Sequence, residues 1–402
     1  MTQTDFLPYG RQSIDEDDIA AVVEALRADM LTTGPRVASF ENAFAEKVGA
    51  RHAVVCSNGT AALHMAVMAL GVGPGDVCIV PSMTFVATAN SVRFEGGEVV
   101  FADVDAGTGL LTPDTLAEAL NRAGGLPVKA VFPVHLSGRA VDLAGIGAIA
   151  EPMEIRVVED ACHAIGTRVE SGGLSTAVGA CSQSSMACFS FHPVKTIASG
   201  EGGMVTTNDD DLASRLRFAR AHGLNRDPNK FQRRDAGFDG EAVNAWYYEQ
   251  VSLGYNYRLP DVLCALGESQ LTKLDRFSQR RAALAALYDA RLAGMSPLVR
   301  CIPTPPWCDP TLHLYVVLID FAALGRSRHQ VMEGLRARGV GSQVHYIPVH
   351  QQPYYVDRYG EQQLPGAQAY YDRCLSLPLY PGMADSDVDR VVEALGAVLE
   401  LG

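Results

Sequence analysis

The sequence predicts an α/β protein, with a mainly parallel central sheet covered by helices and a smaller C-terminal α/β domain. Three observations carry this. Short apolar runs alternate with helical patterns through the first two-thirds of the chain, as in sheets built from strand–helix–strand units. A length of 402 residues exceeds what one hydrophobic core usually covers. A long helical stretch, Leu263 to Leu292, then leads into a second and shorter set of strand and helix signals. We place the boundary between 265 and 266: residues 1–265 form an N-terminal segment and large domain, and 266–402 a bridging helix and small domain.

Candidate strands run from His52 to Cys56, Val77 to Val80, Val99 to Asp103, Ala130 to Val134, Arg156 to Glu159, Met186 to Phe191 and Met204 to Thr207. Each is a short apolar run of the length a buried strand needs. Helical patterns lie between several of them, notably Ala61 to Leu70 and Pro113 to Arg122, the second opened by the capping residue Thr112. A polar, charged stretch from Asn225 to Asn244 reads as an exposed loop. The C-terminal part offers a strand (His313 to Phe321), a helix (Ser327 to Arg338), a strand (Ser342 to Tyr346) and a last helix (Ser386 to Leu399). Internal repeats and low-complexity segments are not found.

Composition narrows the function classes. The chain is 48% hydrophobic and 20% charged, as in an ordinary globular protein. A net charge of −13 and a pI near 5.2 argue against nucleic acid or an anionic membrane as the main partner. The nine cysteines are scattered without a CxxC pair, which suits reduced thiols better than a disulfide framework or zinc site. No apolar stretch is long enough to span a bilayer, and MTQTDFLPYGRQ has no leader-like apolar core. The expected location is the cytoplasm.

Lys195, in FSFHPVKTIASGEGG, is the most informative residue. An apolar strand delivers it into a Gly-rich turn before a second short strand. Lost hydration disfavours the charged amine, and a neutral amine attacks carbonyls, so the natural use of such a lysine is a Schiff base. Other parts fit chemistry on pyridoxal phosphate (PLP). Asp160, in RVVEDACHAIG, ends a buried strand, where a carboxylate could hold the proton on the cofactor's pyridine nitrogen. Glu159 would face the other way, because side chains alternate along a strand. His163 could reach the ring's phenolic oxygen. Ser57-Asn58-Gly59-Thr60, between a strand and a helix, offers backbone N–H groups and hydroxyls to a phosphate, and Ser190 another hydroxyl. Each part alone has an ordinary reading: a solvated lysine, a helix cap, a common turn. Their order is more telling, since each leaves the end of an expected strand, where ligands bind in parallel sheets.

The chain resembles the DegT/DnrJ/StrS family of PLP-dependent nucleotide-sugar aminotransferases. The likeness runs from Pro8-Tyr9-Gly10 to Leu377-Pro378-Leu379-Tyr380. It includes Thr33-Gly34-Pro35, Phe40-Glu41, SNGTAALH (Ser57 to His64), TFVATAN (Thr84 to Asn90), EDACHAIG, GEGG (Gly200 to Gly203), His222-Gly223 and GYNYR (Gly254 to Arg258). The resemblance implies the aspartate aminotransferase fold, fold type I, with L-glutamate as amino donor and pyridoxamine phosphate as intermediate. FSFHPVKT and VHYIPVHQQPYY (Val344 to Tyr355) resemble the branch that aminates C4 of a UDP-linked 4-keto-6-deoxy-N-acetylhexosamine. Its product is UDP-4-amino-4,6-dideoxy-N-acetyl-β-L-altrosamine, on the way to pseudaminic acid and flagellin or surface-glycan modification.

The same resemblance gives roles by position. Lys195 would carry the cofactor, Asp160 pair with the pyridine nitrogen, His163 touch the ring oxygen and Phe85 stack on the ring. Gly59, Thr60 and Ser190 would hold the phosphate. Asn256 would reach that phosphate from the neighbouring subunit, which implies a homodimer with shared sites, and Arg258 would contact cofactor or nucleotide phosphates. Thr33 and Gly34 would border the substrate, and His345, Tyr346 and His350 would lie near the sugar. His345 and His350 are not read as a metal pair, because Ile347 and Pro348 break a helical register and no carboxylate joins them. Ala198-Ser199 stand where many relatives carry two threonines. Alternatives are an aminotransferase for another keto sugar (C3 or C4, GDP- or dTDP-linked), a sugar dehydratase, which would carry histidine at position 195, and a non-catalytic PLP-fold sensor.

Overall fold

The computed structural model describes residues 6–295 and 297–400; the first five residues of the stretch read for a leader lie outside it. Two helices open the chain. Helix α1 (Glu16–Arg27) begins with a capping box in which Asp15 and Asp18 bond each other's backbone N–H. Helix α2 (Pro35–Val48) has proline in its first turn and stops at Gly49, left-handed at φ 78°.

The central sheet follows as β1 (His52–Cys56), β2 (Val77–Pro81), β3 (Glu98–Ala102), β4 (Val128–Val131) and β5 (Arg156–Asp160). A hairpin of β6 (Arg168–Ser171) and β7 (Leu174–Ala177) intervenes before β8 (Met186–Ser190) and β9 (Gly203–Thr207). Among the described residues the seven sheet strands run in the order β1-β9-β8-β5-β4-β2-β3. From β8 to β3 every neighbour pair is parallel. The covering helices are α3 (Gly59–Ala69), α4 (Val86–Phe94), α5 (Pro113–Ala123), α6 (Leu143–Ala150) and α7 (Asp210–Arg220). Strands β2 and β8 are buried on both faces, which is why they read as continuous apolar runs rather than alternating ones. Helix α3 is buried almost all round, packed between the sheet, α4 and α7.

Two departures from the expected strands have local causes. The fourth lies at 128–131 rather than 130–134, because Pro133 has no N–H for the ladder; Val134 regains a single bridge to Asp160. Strand β9 is antiparallel to both β1 and β8. Between Ser190 and Gly203 the chain forms no helix and turns straight back, and Lys195 sits in that turn. The β6–β7 hairpin was not foreseen, although Gly172 and Gly173, at φ 59° and 79°, are the left-handed pair such turns favour.

The 225–244 stretch is exposed but ordered. Short strands β10 (Leu224–Asn225), β11 (Phe238–Asp239), β12 (Ala242–Val243) and β13 (Glu249–Gln250) pair as β10–β13 and β11–β12, with the one-turn α8 (Arg234–Gly237) among them. The Glu249 carboxylate accepts the backbone N–H groups of Gln232 and Arg233 at 2.8 and 2.7 Å, and the Phe231 and Tyr247 rings meet edge-on at 4.9 Å.

Helices α9 (Asp261–Thr272) and α10 (Leu274–Leu292) realise the long helical stretch, parted at Lys273; the expected boundary at 265 falls inside α9. Strand β15 (Cys308–Asp309) joins the β6–β7 hairpin, while β14 (Val299–Cys301), β16 (Tyr315–Ile319) and β17 (Cys374–Leu377) form an antiparallel sheet. Helices α11 (Arg328–Ala337), α12 (Pro353–Tyr359), α13 (Pro365–Tyr371) and α14 (Asp385–Leu399) complete the chain. The strand expected at 342–346 is corrected: Gln343 alone pairs with Ser376, and its side chain then takes the Val344 N–H at 2.9 Å, which ends the ladder. Those residues bend instead toward the carboxyl edge of the large sheet. All nine cysteines are unpaired and seven are buried. Among the described residues no helix is long and apolar enough to cross a membrane.

Candidate active site

A pocket of about 660 Å³ opens where β1, β2, β5 and β8 end, closed on one side by His345 and Tyr346 from the C-terminal part. Its floor is set by close backbone approach. Asn58 caps α3 by accepting the Ala61 N–H at 2.8 Å, which leaves the first N–H groups of the helix, at Gly59 and Thr60, without intrahelical partners. A Cβ on Gly59 would stand 2.8 Å from that of Ser190, so only glycine lets the helix start meet the end of β8. Gly203 is demanded in the same way, since a Cβ there would lie 2.3 Å from the Asn58 carbonyl oxygen.

Asp160 is buried at the tip of β5 and its carboxylate faces the pocket. Oδ2 accepts the Thr88 hydroxyl at 2.7 Å and Oδ1 the Cys162 N–H at 3.2 Å. Glu159 points the other way, as alternation requires, and meets His135 at 2.8 Å and the Ser184 hydroxyl. Lys195 is held in its turn by its N–H on the His192 carbonyl at 2.8 Å. Burial pushes its amine below the ordinary lysine range, while Cys162 and Asp160 pull the other way.

The remaining wall is aromatic. His163 receives the Ser137 N–H on Nδ1 at 3.3 Å and faces the Tyr346 hydroxyl with Nε2 at 3.1 Å. Burial, with the nearby Lys195 and His345, keeps the His163 imidazole well below its usual range; His313, 4.6 Å away ring to ring, is depressed by burial in the same way. Phe85 lines the mouth, 56% exposed, with its ring 5.9 Å from that of Tyr346. His345 Nδ1 bonds the Ser376 hydroxyl at 2.8 Å, whereas His350 Nδ1 turns to Ser82 at 2.5 Å, so the two imidazoles serve different partners.

The pocket thus gathers Gly59, Thr60, Phe85, Asp160, His163, Ser190, Lys195, His345 and Tyr346. Thr33, Gly34, Asn256 and Arg258 do not line it. They belong to an adjoining surface in which the Gly34 N–H bonds Asp261 at 2.8 Å, Asn256 bridges Ala221, and Tyr257 accepts the Ser57 N–H at 2.8 Å. Sequence reasoning missed Thr88, Cys162 and His313. Thr88 stood within TFVATAN, one turn beyond Thr84, and that spacing was the available signal. His313 left none, being one more residue ahead of an apolar strand.

The model for the DegT/DnrJ/EryC1/StrS aminotransferase family matches residues 12–396. The chain belongs to that family. Among solved structures it is similar to PseC of Helicobacter pylori, an aminotransferase involved in the biosynthesis of pseudoaminic (pseudaminic) acid, at 27% identity and a TM-score of 0.86, covering 99% of this chain and 100% of that one. The aminotransferase TlmJ of Streptoalloteichus hindustanus is 31% identical at a TM-score of 0.86, covering 98% and 99%. Spr1654 of Streptococcus pneumoniae, described as a sugar aminotransferase and solved in its PLP form, is 25% identical at 0.86, covering 98% and 99%; its pyridoxamine (PMP) form is also known. The protein is a PLP-dependent sugar aminotransferase with the family's α/β fold.

This DegT-family pocket fits PLP on its own geometry. A glycine-based helix start beside a serine suits a phosphate, a buried carboxylate suits a protonated ring nitrogen, and an amine of lowered basicity suits an aldehyde.

Proposed function

We propose that the enzyme transfers the amino group of L-glutamate to C4 of a UDP-linked 4-keto-6-deoxy-N-acetylhexosamine, giving the 4-amino-altrosamine nucleotide of the pseudaminic acid route. The observation that carries the chemistry is the convergence of Lys195, Asp160 and the Gly59 helix start on one pocket. The choice of sugar draws its support from the likeness to PseC over 99% of this chain.

In this reading Lys195 Nζ makes the covalent link to the cofactor, and Asp160 holds a proton on its ring nitrogen. Gly59, Thr60 and Ser190 bind the phosphate, and Phe85 covers the ring. PLP supplies an electron sink that makes loss of a proton from the amino donor's α-carbon accessible. Lys195 Nζ takes and returns that proton, and burial lowers its basicity toward the working range a general base needs. His163 faces the cofactor's ring oxygen, His345 and Tyr346 take the sugar's side, and together with Phe85 these pocket-lining side chains exclude water.

A second copy of the chain completes the site in this reading, bringing Asn256 to the phosphate, while Arg258 contacts cofactor or nucleotide phosphates and Thr33 and Gly34 border the substrate. Exposed apolar side chains on α1 (Ile19, Val23, Leu26) and at Phe94, Leu253 and Tyr255 support a self-association surface. The domain division at 265/266 and a cytoplasmic setting belong to the same proposal.

The test is the visible spectrum of PLP-loaded protein before and after L-glutamate, followed by single-turnover assays of the aminated enzyme. UDP-, dTDP- and GDP-linked 4-keto sugars and a 3-keto sugar form the panel. Bleaching by glutamate and preferential amination of the UDP-linked 4-keto sugar is the expected result. Preference for another sugar would overturn the substrate. A band that ignores glutamate would overturn the donor.

A further inference from the structure

The TFVATAN stretch contributes more than Phe85. Thr84 and Thr88 are fully or almost fully buried, at 1% and 0% exposure, and stand one turn apart at the start of α4. Their hydroxyls are 2.7 Å apart, and the Thr88 hydroxyl is 2.7 Å from Asp160 Oδ2. A carboxylate can only accept, so Thr88 spends its single proton on Asp160; the bond between the threonines must then use the proton of Thr84. The result is a directed chain, Thr84 to Thr88 to Asp160, in a buried site where such bonds reinforce one another. A weaker contact from the Thr88 hydroxyl to the Phe85 carbonyl, at 3.3 Å, competes poorly with the charged acceptor.

We propose that Thr88 is a positioning residue, its hydroxyl fixing the plane of the Asp160 carboxylate toward the cofactor pocket. Oδ1 is held by the Cys162 N–H from the turn after β5, and Oδ2 by Thr88 from α4. Two donors on separate elements leave the carboxylate one orientation, with its free lone pairs toward the pocket. Threonine suits the task because its branched Cβ restricts χ1 and because the Thr88 N–H on the Phe85 carbonyl, at 3.2 Å, anchors its backbone. The same helix start that presents Phe85 at the pocket mouth therefore also orients the carboxylate beneath. The inference rests on the reading that Asp160 serves the cofactor's ring nitrogen.

The experiment compares Thr88→Val, Thr88→Ser and Asp160→Asn in the full-length protein. PLP is titrated into each cofactor-free protein, and the spectrum of bound PLP and the kcat and KM for L-glutamate are recorded. Loss of one hydrogen bond to a charged group should weaken PLP binding roughly 10-fold in Thr88→Val, about 1.4 kcal/mol. The band of bound PLP should change and kcat should fall more than KM rises, because hydrogen bonding at the ring nitrogen tunes the cofactor's electronics. Thr88→Ser, which keeps the hydroxyl, should restore affinity, band and kcat. Should valine fail to fold, Thr88→Ala is compared with Thr88→Ser by the same readouts. A hydroxyl-free variant matching the unaltered enzyme, or a serine variant as impaired as valine, would overturn the proposal. If Asp160→Asn also keeps normal PLP affinity and spectrum, the underlying assignment of Asp160 fails instead, and the positioning role with it.

Discussion

His163 Nε2 lies 3.1 Å from the Tyr346 hydroxyl, and His163 is the donor in that contact. The Ser137 N–H occupies Nδ1 at 3.3 Å, and burial keeps the ring neutral, so its one proton sits on Nε2. Tyr346 accepts it, and its own proton remains for an oxygen in the pocket. Burial, with Asp160 and Cys162 nearby, raises the phenol above its ordinary range, so Tyr346 stays a donor at neutral pH.

Tyr346→Phe should therefore lose a donor aimed at bound ligand while keeping the ring's packing. We expect kcat/KM to fall roughly 10- to 100-fold, the scale of one lost donor at a reacting oxygen. Measuring the two half-reactions separately locates the oxygen: a loss confined to the sugar half points to the keto group, and a loss in both to the cofactor. Unchanged rates in both halves would refute the donor role.

Lys195→Ala should remove turnover altogether, because the turn between β8 and β9 offers no second amine to the pocket. The variant should still bind PLP through Gly59, Thr60 and Ser190, but without a covalent link. Reduction with borohydride followed by mass spectrometry checks this: cofactor mass should attach to the unaltered chain at Lys195 and be absent from the variant. Residual turnover above background would sink the assignment.

Gly59→Ala tests the phosphate cradle. The added methyl would stand 2.8 Å from Ser190 Cβ and 3.1 Å from its hydroxyl. Overpacking of this kind costs on the order of 1–3 kcal/mol. The helix start and the end of β8 should move apart, lowering both the melting temperature and PLP affinity. Gly49→Ala is strained by its positive φ but has open space around it and lies away from the pocket, so it should affect stability alone. Normal PLP affinity in Gly59→Ala would show that the close approach does not form the cradle.

Three buried imidazoles give the cofactor-free protein an acid limit. Burial lowers His163 and His313 well below 6.5, and His345 from 6.5 to about 3. Groups depressed in the folded state are neutral there while the unfolded chain takes up protons, so stability is fully present above about pH 6.5 and falls as pH drops toward 3. Melting temperature should be level from pH 7 to 8 and decline steadily from 6.5 to 5. A flat profile down to pH 5 would mean that these rings can protonate within the fold.

Much of this was legible beforehand because it is local. The apolar runs at 52–56, 156–159 and 186–191 announce strands that the structure places within one residue of those bounds, and Gly59 announces itself by its place between a strand and a helix. The 342–346 segment was misread because its apolar alternation suits a strand, whereas pairing is decided by whether an edge is available; beyond Gln343 the backbone donor is met by a side chain instead.

The sequence by itself determined the α/β class, the order of Gly59 turn, Asp160 and Lys195, and the family. The class and that order reside in periodicity and turn chemistry over a few residues, and the family in motifs spread along the chain. Only the tertiary structure decided that β9 runs antiparallel, that Thr88 reaches Asp160 across 72 residues, and that Tyr346 meets His163 across 183. Contacts between positions so far apart leave no local pattern. They exist because buried polar groups must find partners, and only the packed chain sets which partners are within reach.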